Sequence, residues 1–354
     1  MNRKIEWLLA ISVIILSLFG LIMIYSSSYV WAEYKYGDSY KYVKNQGFFL
    51  CIGILLMFLV SRIDYYHYYD KAKLIIFVCC ILLVLVLIPG IGTVRNGSRS
   101  WFGIGSFGIQ PSEFTKLGLI IFTARYLYLY KKVLPILIFT FLIFGVVMLQ
   151  PDFGTATIIV MSVIGMLFIS GMNLSFLFKL AFMGGIGVVV LIAVAPYRMA
   201  RILSFLNPWS DPLGSGFQII QSLYAIGPGG LFGLGFGNSI QKHFYLPEPQ
   251  TDFIFSIISE EFGFAGILIV SALFLTIIIT GFNITYKSEE KFGKYLSFGI
   301  MFCFAFQTIM NLMVVVGLIP VTGVTLPFLS YGGSSLLVSM ISMGIVLNIS
   351  RYQK

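Results

Sequence analysis

Long apolar runs separated by short polar stretches recur along the whole chain. An α-helix needs about 20 apolar residues to cross the hydrocarbon core of a membrane. The apolar runs predict about ten membrane-spanning helices, at residues 7–27, 46–61, 74–90, 114–130, 133–149, 154–171, 175–195, 253–282, 295–318 and 327–349. We therefore expect an all-α integral membrane protein with a single polytopic domain over residues 1–354 and a large extracellular loop at 196–252.

The composition excludes a soluble globular protein. Of the 354 residues, 58% are hydrophobic and only 10% are charged, and the mean hydropathy is +0.94. In soluble domains, by contrast, about a quarter of the residues are charged. If both termini are cytoplasmic, most Lys and Arg residues fall on the cytoplasmic ends of the spans, as the positive-inside rule requires. The net charge of +9 then reflects topology and anionic lipid headgroups, and we expect no nucleic-acid partner.

Three acidic residues follow prolines closely at the starts of even-numbered spans. They are Glu113, Asp152 and Asp252, and the predicted topology places all three at the outer face. Each can be an independent carboxylate stabilised by the helix dipole, by about 0.3–1 kcal/mol. Neutral Ser or Asn would cap a helix equally well, however, and acids near lipid are costly. The pattern therefore favours a shared functional site.

Asp252 ends a long polar loop and leads directly into an apolar helix. The helix dipole favours its ionised form, whereas the nearby lipid disfavours that form. A carboxylate balanced in this way can act as a base. Glu248, four residues earlier in the same loop, is a further candidate for substrate binding.

Other charged residues allow two interpretations each. Glu113 and Lys116 share one face of a predicted helix, where they can form a stabilising pair or bind a charged substrate. Arg198 and Arg201 both lie at the outer face against the positive-inside trend, which indicates either an anionic ligand or arginines that snorkel to the interface. Glu260 and Glu261 lie deeper in the eighth span and need partners, whether structural or functional.

Five segments of the chain carry a resemblance to a known family, at residues 96–116, 150–155, 208–237, 245–255 and 317–335. Over essentially its full length, the chain resembles the SEDS (shape, elongation, division and sporulation) family of bacterial peptidoglycan polymerases. The form of the loop at 247–253 and the short C-terminal tail are most similar to the division and sporulation branch of Gram-positive bacteria, FtsW and SpoVE.

The resemblance implies a ten-helix inverting glycosyltransferase in the bacterial cytoplasmic membrane. Such an enzyme polymerises lipid II into β-1,4 glycan strands at the outer face, for septum or spore cortex synthesis. Its implied partners are lipid II, polyprenyl-pyrophosphate-linked glycan, membrane lipid and a class B penicillin-binding protein. The family's essential loop aspartate falls on Asp252, and its other functional polar residues match Glu113, Lys116 and Asp152.

For this chemistry we assign Asp252 as the base, and Lys116, Arg198 and either Arg95 or Arg99 as pyrophosphate ligands. A divalent cation, Mg²⁺ or Mn²⁺, held by Asp152 or Glu113 could share this role. No metal-ligand spacing in the sequence demands one, so its participation stays open. The alternatives are a lipid II flippase and a scaffold for division proteins. A flippase should have charged or polar groups along the whole membrane depth, whereas here the acids concentrate near the outer ends.

Overall fold

The computed structural model describes residues 2–95, 97–104, 107–129, 133–194 and 196–352. Twelve α-helices and a small sheet follow one another in the described residues. The order is α1 (Asn2–Tyr36), α2 (Lys41–Val60), α3 (Tyr66–Leu85), β1 (Thr93–Arg95), β2 (Ser98–Ile104), β3 (Phe107–Ile109), α4 (Pro111–Leu129), α5 (Val133–Leu149), α6 (Phe153–Ile169), α7 (Leu174–Val194), α8 (Pro196–Leu206), α9 (Phe217–Ile226), α10 (Ile254–Lys287), α11 (Lys291–Val315) and α12 (Gly333–Arg351).

The fold confirms a multi-pass helical membrane protein. Six described helices, α1, α2, α7, α10, α11 and α12, are long and apolar enough to cross a membrane, and α5 and α6 are shorter apolar helices. Helix α7 exposes nearly all its side chains, which suits a helix that faces lipid. Helix α2 packs on α12, α3 on α4 and α1 on α10, while α11 contacts α4, α6, α10 and α12. Helix α11 is therefore central to the bundle.

Several helix boundaries differ from the prediction. Helix α1 continues to Tyr36 although residues 28–36 were predicted as loop, and it ends where Gly37 adopts a φ of +67°. Helix α3 begins eight residues before the predicted 74 and ends at Leu85, shortly before Pro89. The region 196–252, predicted as loop, contains the short helices α8 and α9.

A three-stranded antiparallel sheet precedes α4, where an all-helical prediction had only a loop. Its short strands contain polar residues and glycines, so they lack the alternating apolar pattern that identifies a strand in a sequence. The hydroxyl of Ser334, at the start of α12, accepts from the backbone N–H of Gln110 at 3.0 Å and lies 3.2 Å from the carbonyl oxygen of Gly108. The sheet thus attaches the start of α4 to α12.

The chain between α11 and α12, residues 316–332, has no regular secondary structure. Irregular backbone persists at membrane depth only where protein buries it or where it lines a cavity. Here Leu326 and Leu329 are buried, and a side chain at Gly154 of α6 would collide with Val324 and the carbonyl of Thr322. This irregular segment therefore packs against the N-terminal end of α6.

Candidate active site

The Glu113–Lys116 pair forms at the start of α4. Pro111 opens the helix, and the spacing of three residues brings the two side chains together on one face. Lys116 Nζ lies 2.9 Å from Glu113 Oε1 and donates a hydrogen bond of 2.8 Å to Gln307 Oε1 of α11. Less than a tenth of either side chain is exposed, so this is a buried ion pair and not a surface pair.

Asp152 caps the N-terminus of α6. Its Oδ1 accepts from the backbone N–H of Thr155 at 3.0 Å, and its Oδ2 accepts from Gln110 Nε2 at 3.1 Å. Burial raises the pKa of this carboxyl, the charge of Glu113 raises it further, and the charge of Lys116 opposes them. Asp152 therefore lies within electrostatic reach of the buried ion pair.

Asp252 lies in a turn two residues before α10 begins. Burial raises the pKa of this carboxyl from 3.8 to about 6. The hydroxyl of Thr251, 3.0 Å from Oδ1, and the charge of Arg201 lower the pKa, whereas the charge of Glu248 raises it. A carboxylate with this pKa is mostly ionised at neutral pH and is a stronger base than an ordinary aspartate.

Two amide side chains of α11 connect Asp252 with the ion pair. Asn311 Nδ2 donates to the carbonyl oxygens of Asp252, at 2.8 Å, and Val324, at 2.7 Å. Gln307, one helical turn away, binds Lys116. Four residues of helix rise about 6 Å, so the amide that binds the backbone of Asp252 and the amide that binds Lys116 lie about one turn apart on α11. Of the two amides, Gln307 bonds to another helix, whereas Asn311 bonds to carbonyl groups of non-helical segments.

The candidate acids and the lysine thus occupy two adjoining parts of one region. Glu113, Lys116 and Asp152 interact with one another, and Asp252 is connected to them through α11. In the part of the chain that the structure describes, no hydrogen bond or ion pair joins Asp252 directly to the other three. The roles of these four residues remain predictions, since the geometry shows their placement and not their action.

A cavity of about 40 Å³ lies beside the ion pair between α4, α11 and α12. Its polar lining residues include Glu113, Lys116 and Gln307, and its apolar lining residues include Ile300 and Met343. The volume accommodates water, but ligand pockets of about 300–1,000 Å³ are typical. Substrate binding at Lys116 therefore requires these helices to separate.

The remaining predicted residues are Arg95, Arg99, Arg198 and Glu248. The guanidinium carbon of Arg95 lies 5.1 Å from the ring centre of Trp101. Arg99 lies on β2, where it pairs with Val94 of β1. The side chain of Arg198 lies outside the described residues. Glu248 has a left-handed backbone, φ +46°, and its carbonyl oxygen accepts from the N–H of Thr251 at 3.0 Å.

Arg201 was noted beside Arg198 in the sequence, but only Arg198 was assigned to the predicted site. It donates to the carbonyl oxygen of Val321 at 3.2 Å, and its charge lowers the pKa of Asp252. The available signal was its position three residues after Arg198, on the same face of an amphipathic helix.

The side chains present do not fit a divalent cation. Asp152 already accepts from two protein donors, and Glu113 is paired with Lys116. Within the described ranges, no cluster of three His, Cys, Asp or Glu side chains is placed to hold a metal ion. We therefore derive no catalytic step through a cation.

Known proteins match this chain over nearly its whole length. The family model of the cell cycle protein family FtsW/RodA/SpoVE matches residues 6–354. Stage V sporulation protein E of Bacillus subtilis is 50% identical, with 99% of this chain and 98% of the relative covered. A protein of Trichlorobacter lovleyi, named probable peptidoglycan glycosyltransferase FtsW, is 42% identical over 98% of this chain and 93% of its own.

Solved structures agree with these relatives. A chain of a peptidoglycan synthase complex superimposes with a TM-score of 0.81 at 30% identity, and 98% of both chains is covered. The rod shape determining protein RodA of Thermus thermophilus gives a TM-score of 0.71 at 28% identity, again over 98% of both chains. Because the family model and these relatives match nearly the whole chain, this chain belongs to the FtsW/RodA/SpoVE family.

Proposed function

We propose that this protein is an inverting peptidoglycan glycosyltransferase that polymerises lipid II into β-1,4 glycan strands. The observation that carries the proposal is the partly buried Asp252, whose pKa is raised to about 6 and whose backbone is bound by Asn311, one turn of α11 from the Gln307 that binds the buried Lys116. This arrangement offers a base and a cation to one reaction. It agrees with the names of the relatives, one of which is called a probable peptidoglycan glycosyltransferase.

The reaction is a single displacement. The 4-hydroxyl oxygen of one sugar attacks the anomeric carbon of another, and the bond from that carbon to the pyrophosphate oxygen breaks. Asp252 accepts the hydroxyl proton, and the polyprenyl pyrophosphate leaves with the electron pair. Lys116 and Arg201 supply positive charge to the departing group, with Arg95, Arg99 and Arg198 as further predicted ligands. Attack opposite an α-linked leaving group gives the β-linked product.

The proposed topology places Asp252 at the outer face of the bacterial cytoplasmic membrane, with both termini inside. Lipid II exposes its sugars at that face while its polyprenyl chain stays in the bilayer. A class B penicillin-binding protein is the proposed partner, consistent with the similarity to a chain of a peptidoglycan synthase complex. The glycan then serves the septum or the spore wall.

The test uses purified protein reconstituted in vesicles of bacterial lipids that contain lipid II. It is run once with the protein alone and once with the transpeptidase partner. We expect glycan polymers that lengthen with time. A flippase would instead move lipid II to the opposite leaflet without forming polymer, and the same vesicles report both outcomes. Translocation without polymer in either preparation would overturn the proposal.

We expect turnover to rise with pH through about pH 6. Below that value the carboxyl of Asp252 is protonated and cannot accept a proton, because burial raises its pKa to about 6. Thr251 lies 3.0 Å from Asp252 Oδ1, and a hydrogen bond to the charged form lowers the pKa. Thr251→Val should therefore move the rise to higher pH, measured as kcat/KM from pH 5 to 8. A profile that is flat from pH 5 to 7 would contradict the assignment.

A further inference from the structure

A fully buried ion pair lies outside the candidate active site. Lys242 Nζ, in the loop before α10, lies 2.9 Å from Glu261 Oε1 of α10, and neither side chain is exposed. The hydroxyl of Ser26 of α1 donates to the same carboxylate at 2.6 Å. The ammonium also donates to the carbonyl oxygen of Gly237 and lies 4.9 Å from the ring centre of Tyr29. One cation therefore joins the loop, α1 and α10.

A second carboxylate of α10 binds the same loop. Glu260 accepts from the hydroxyl of Ser239, from the backbone N–H of Ile240 at 2.9 Å and from that of Gln241 at 3.4 Å. The side chain of Glu260 is itself buried. Residues 237–242 are thus held to α10 by two neighbouring acids.

These acids lie just before a break in α10. Gly263 has φ +63° and ψ −157°, so the helix loses its regular hydrogen bonds there. The loop replaces them: Leu234 N–H donates to the carbonyl of Glu260 at 2.9 Å, and Phe264 N–H donates to the carbonyl of Gly230 at 2.9 Å. Residues 230–235 of the loop therefore dock at this break in α10.

The same loop ends at the proposed base. Asp252 follows Lys242 by ten residues, and its carbonyl oxygen is held by Asn311. The carbonyl of Gln250 accepts from the N–H of Tyr331 at 2.8 Å. The loop is therefore fixed at its far end by α11 and the irregular segment 316–332, and at its near end by Lys242.

We propose that Lys242 and Glu261 are positioning residues, which hold the loop so that Asp252 meets its substrate. This inference rests on the proposed function, because it concerns the base of that reaction. A buried ion pair is weak support for stability alone, since two apolar residues often serve as well, whereas loss of one partner leaves a costly unpaired charge. Because Lys242 Nζ joins the loop, α1 and α10, the pair is suited to fixing the position of the loop relative to these two helices.

The decisive variant is the neutral double replacement Lys242→Met with Glu261→Gln, which leaves no charge unpaired. We expect its melting temperature to stay near that of the wild type. Amide hydrogen exchange should become about tenfold faster in residues 238–252 but not in α4, α6 or α11, because the charge-assisted bonds are lost. We expect kcat to fall about tenfold, with KM within twofold. The matched control is Asp38→Asn with Lys44→Met, an exposed pair at 2.8 Å.

Unchanged exchange in 238–252 together with wild-type kcat would overturn the inference, as would faster exchange spread evenly over all helices. If the double variant does not fold, Ser26→Ala decides, because it removes a hydroxyl from the cluster without leaving a charge unpaired. Locally faster exchange in that variant supports the inference, and no change refutes it. Exchange is measured without substrate, so it still tests the pair if the wild type forms no glycan.

Discussion

Asp252→Asn is expected to reduce the turnover of lipid II by a factor of about 10²–10⁴, the range in which a general base contributes to catalysis. The amide has nearly the same shape and still accepts from the hydroxyl of Thr251, but it cannot take the proton of the attacking hydroxyl. The rise in activity near pH 6 should disappear with it. The measurement is kcat for glycan formation by purified protein at several pH values.

The same variant should not weaken the fold. Burial raises the pKa of Asp252, so its ionised form is less favourable in the folded chain than in the unfolded chain, and this cost grows as the pH rises from about 4 to 6. At pH 7 the neutral variant should therefore melt at or above the wild-type temperature. Asp211→Asn, an exposed acid of the same loop region, is the matched control and should keep full activity. Turnover of the Asp252→Asn protein within a few-fold of wild type would exclude Asp252 as the base.

The spanning helices could be predicted from the sequence because the bilayer imposes one requirement on every span. Backbone polar groups must be satisfied within the segment, so long apolar runs become helices. Acids at the starts of those helices were equally visible, and Glu113, Asp152 and Asp252 all lie at or beside helix N-termini. The helix ends were less visible where polar residues continue a helix, as in α1 up to Gly37.

Contacts between segments that are distant in the chain could not be predicted from the sequence. Lys242 looks like a solvated loop lysine in the sequence, yet Glu261 and Ser26 bury it completely. Gln307 and Asn311 are neutral polar residues of an apolar helix, and the sequence does not show that one binds Lys116 and the other binds the backbone of Asp252. Such pairings depend on which helices pack together, and in a membrane neither periodicity nor hydropathy specifies that.

Replacement of Lys116 has the second largest expected effect. Lys116→Met removes the buried cation proposed to face the leaving pyrophosphate, and loss of one such electrostatic donor typically costs about 10²–10³ in kcat. It also leaves Glu113 buried without its partner, which destabilises the fold by about 3–5 kcal/mol. We expect both turnover and melting temperature to fall. Lys71→Met, which removes an exposed charge of α3, should change neither.

The double variant Glu113→Gln with Lys116→Met separates the structural role of the pair from its catalytic role. With no unpaired charge, the melting temperature should recover, because the penalty in the single variant comes from the lone carboxylate. Turnover should stay low, because the missing cation is not replaced. Recovery of both quantities would mean that the pair only stabilises the start of α4. The pyrophosphate would then have to bind elsewhere, and Arg201, whose charge acts on Asp252, would be the next cation to replace.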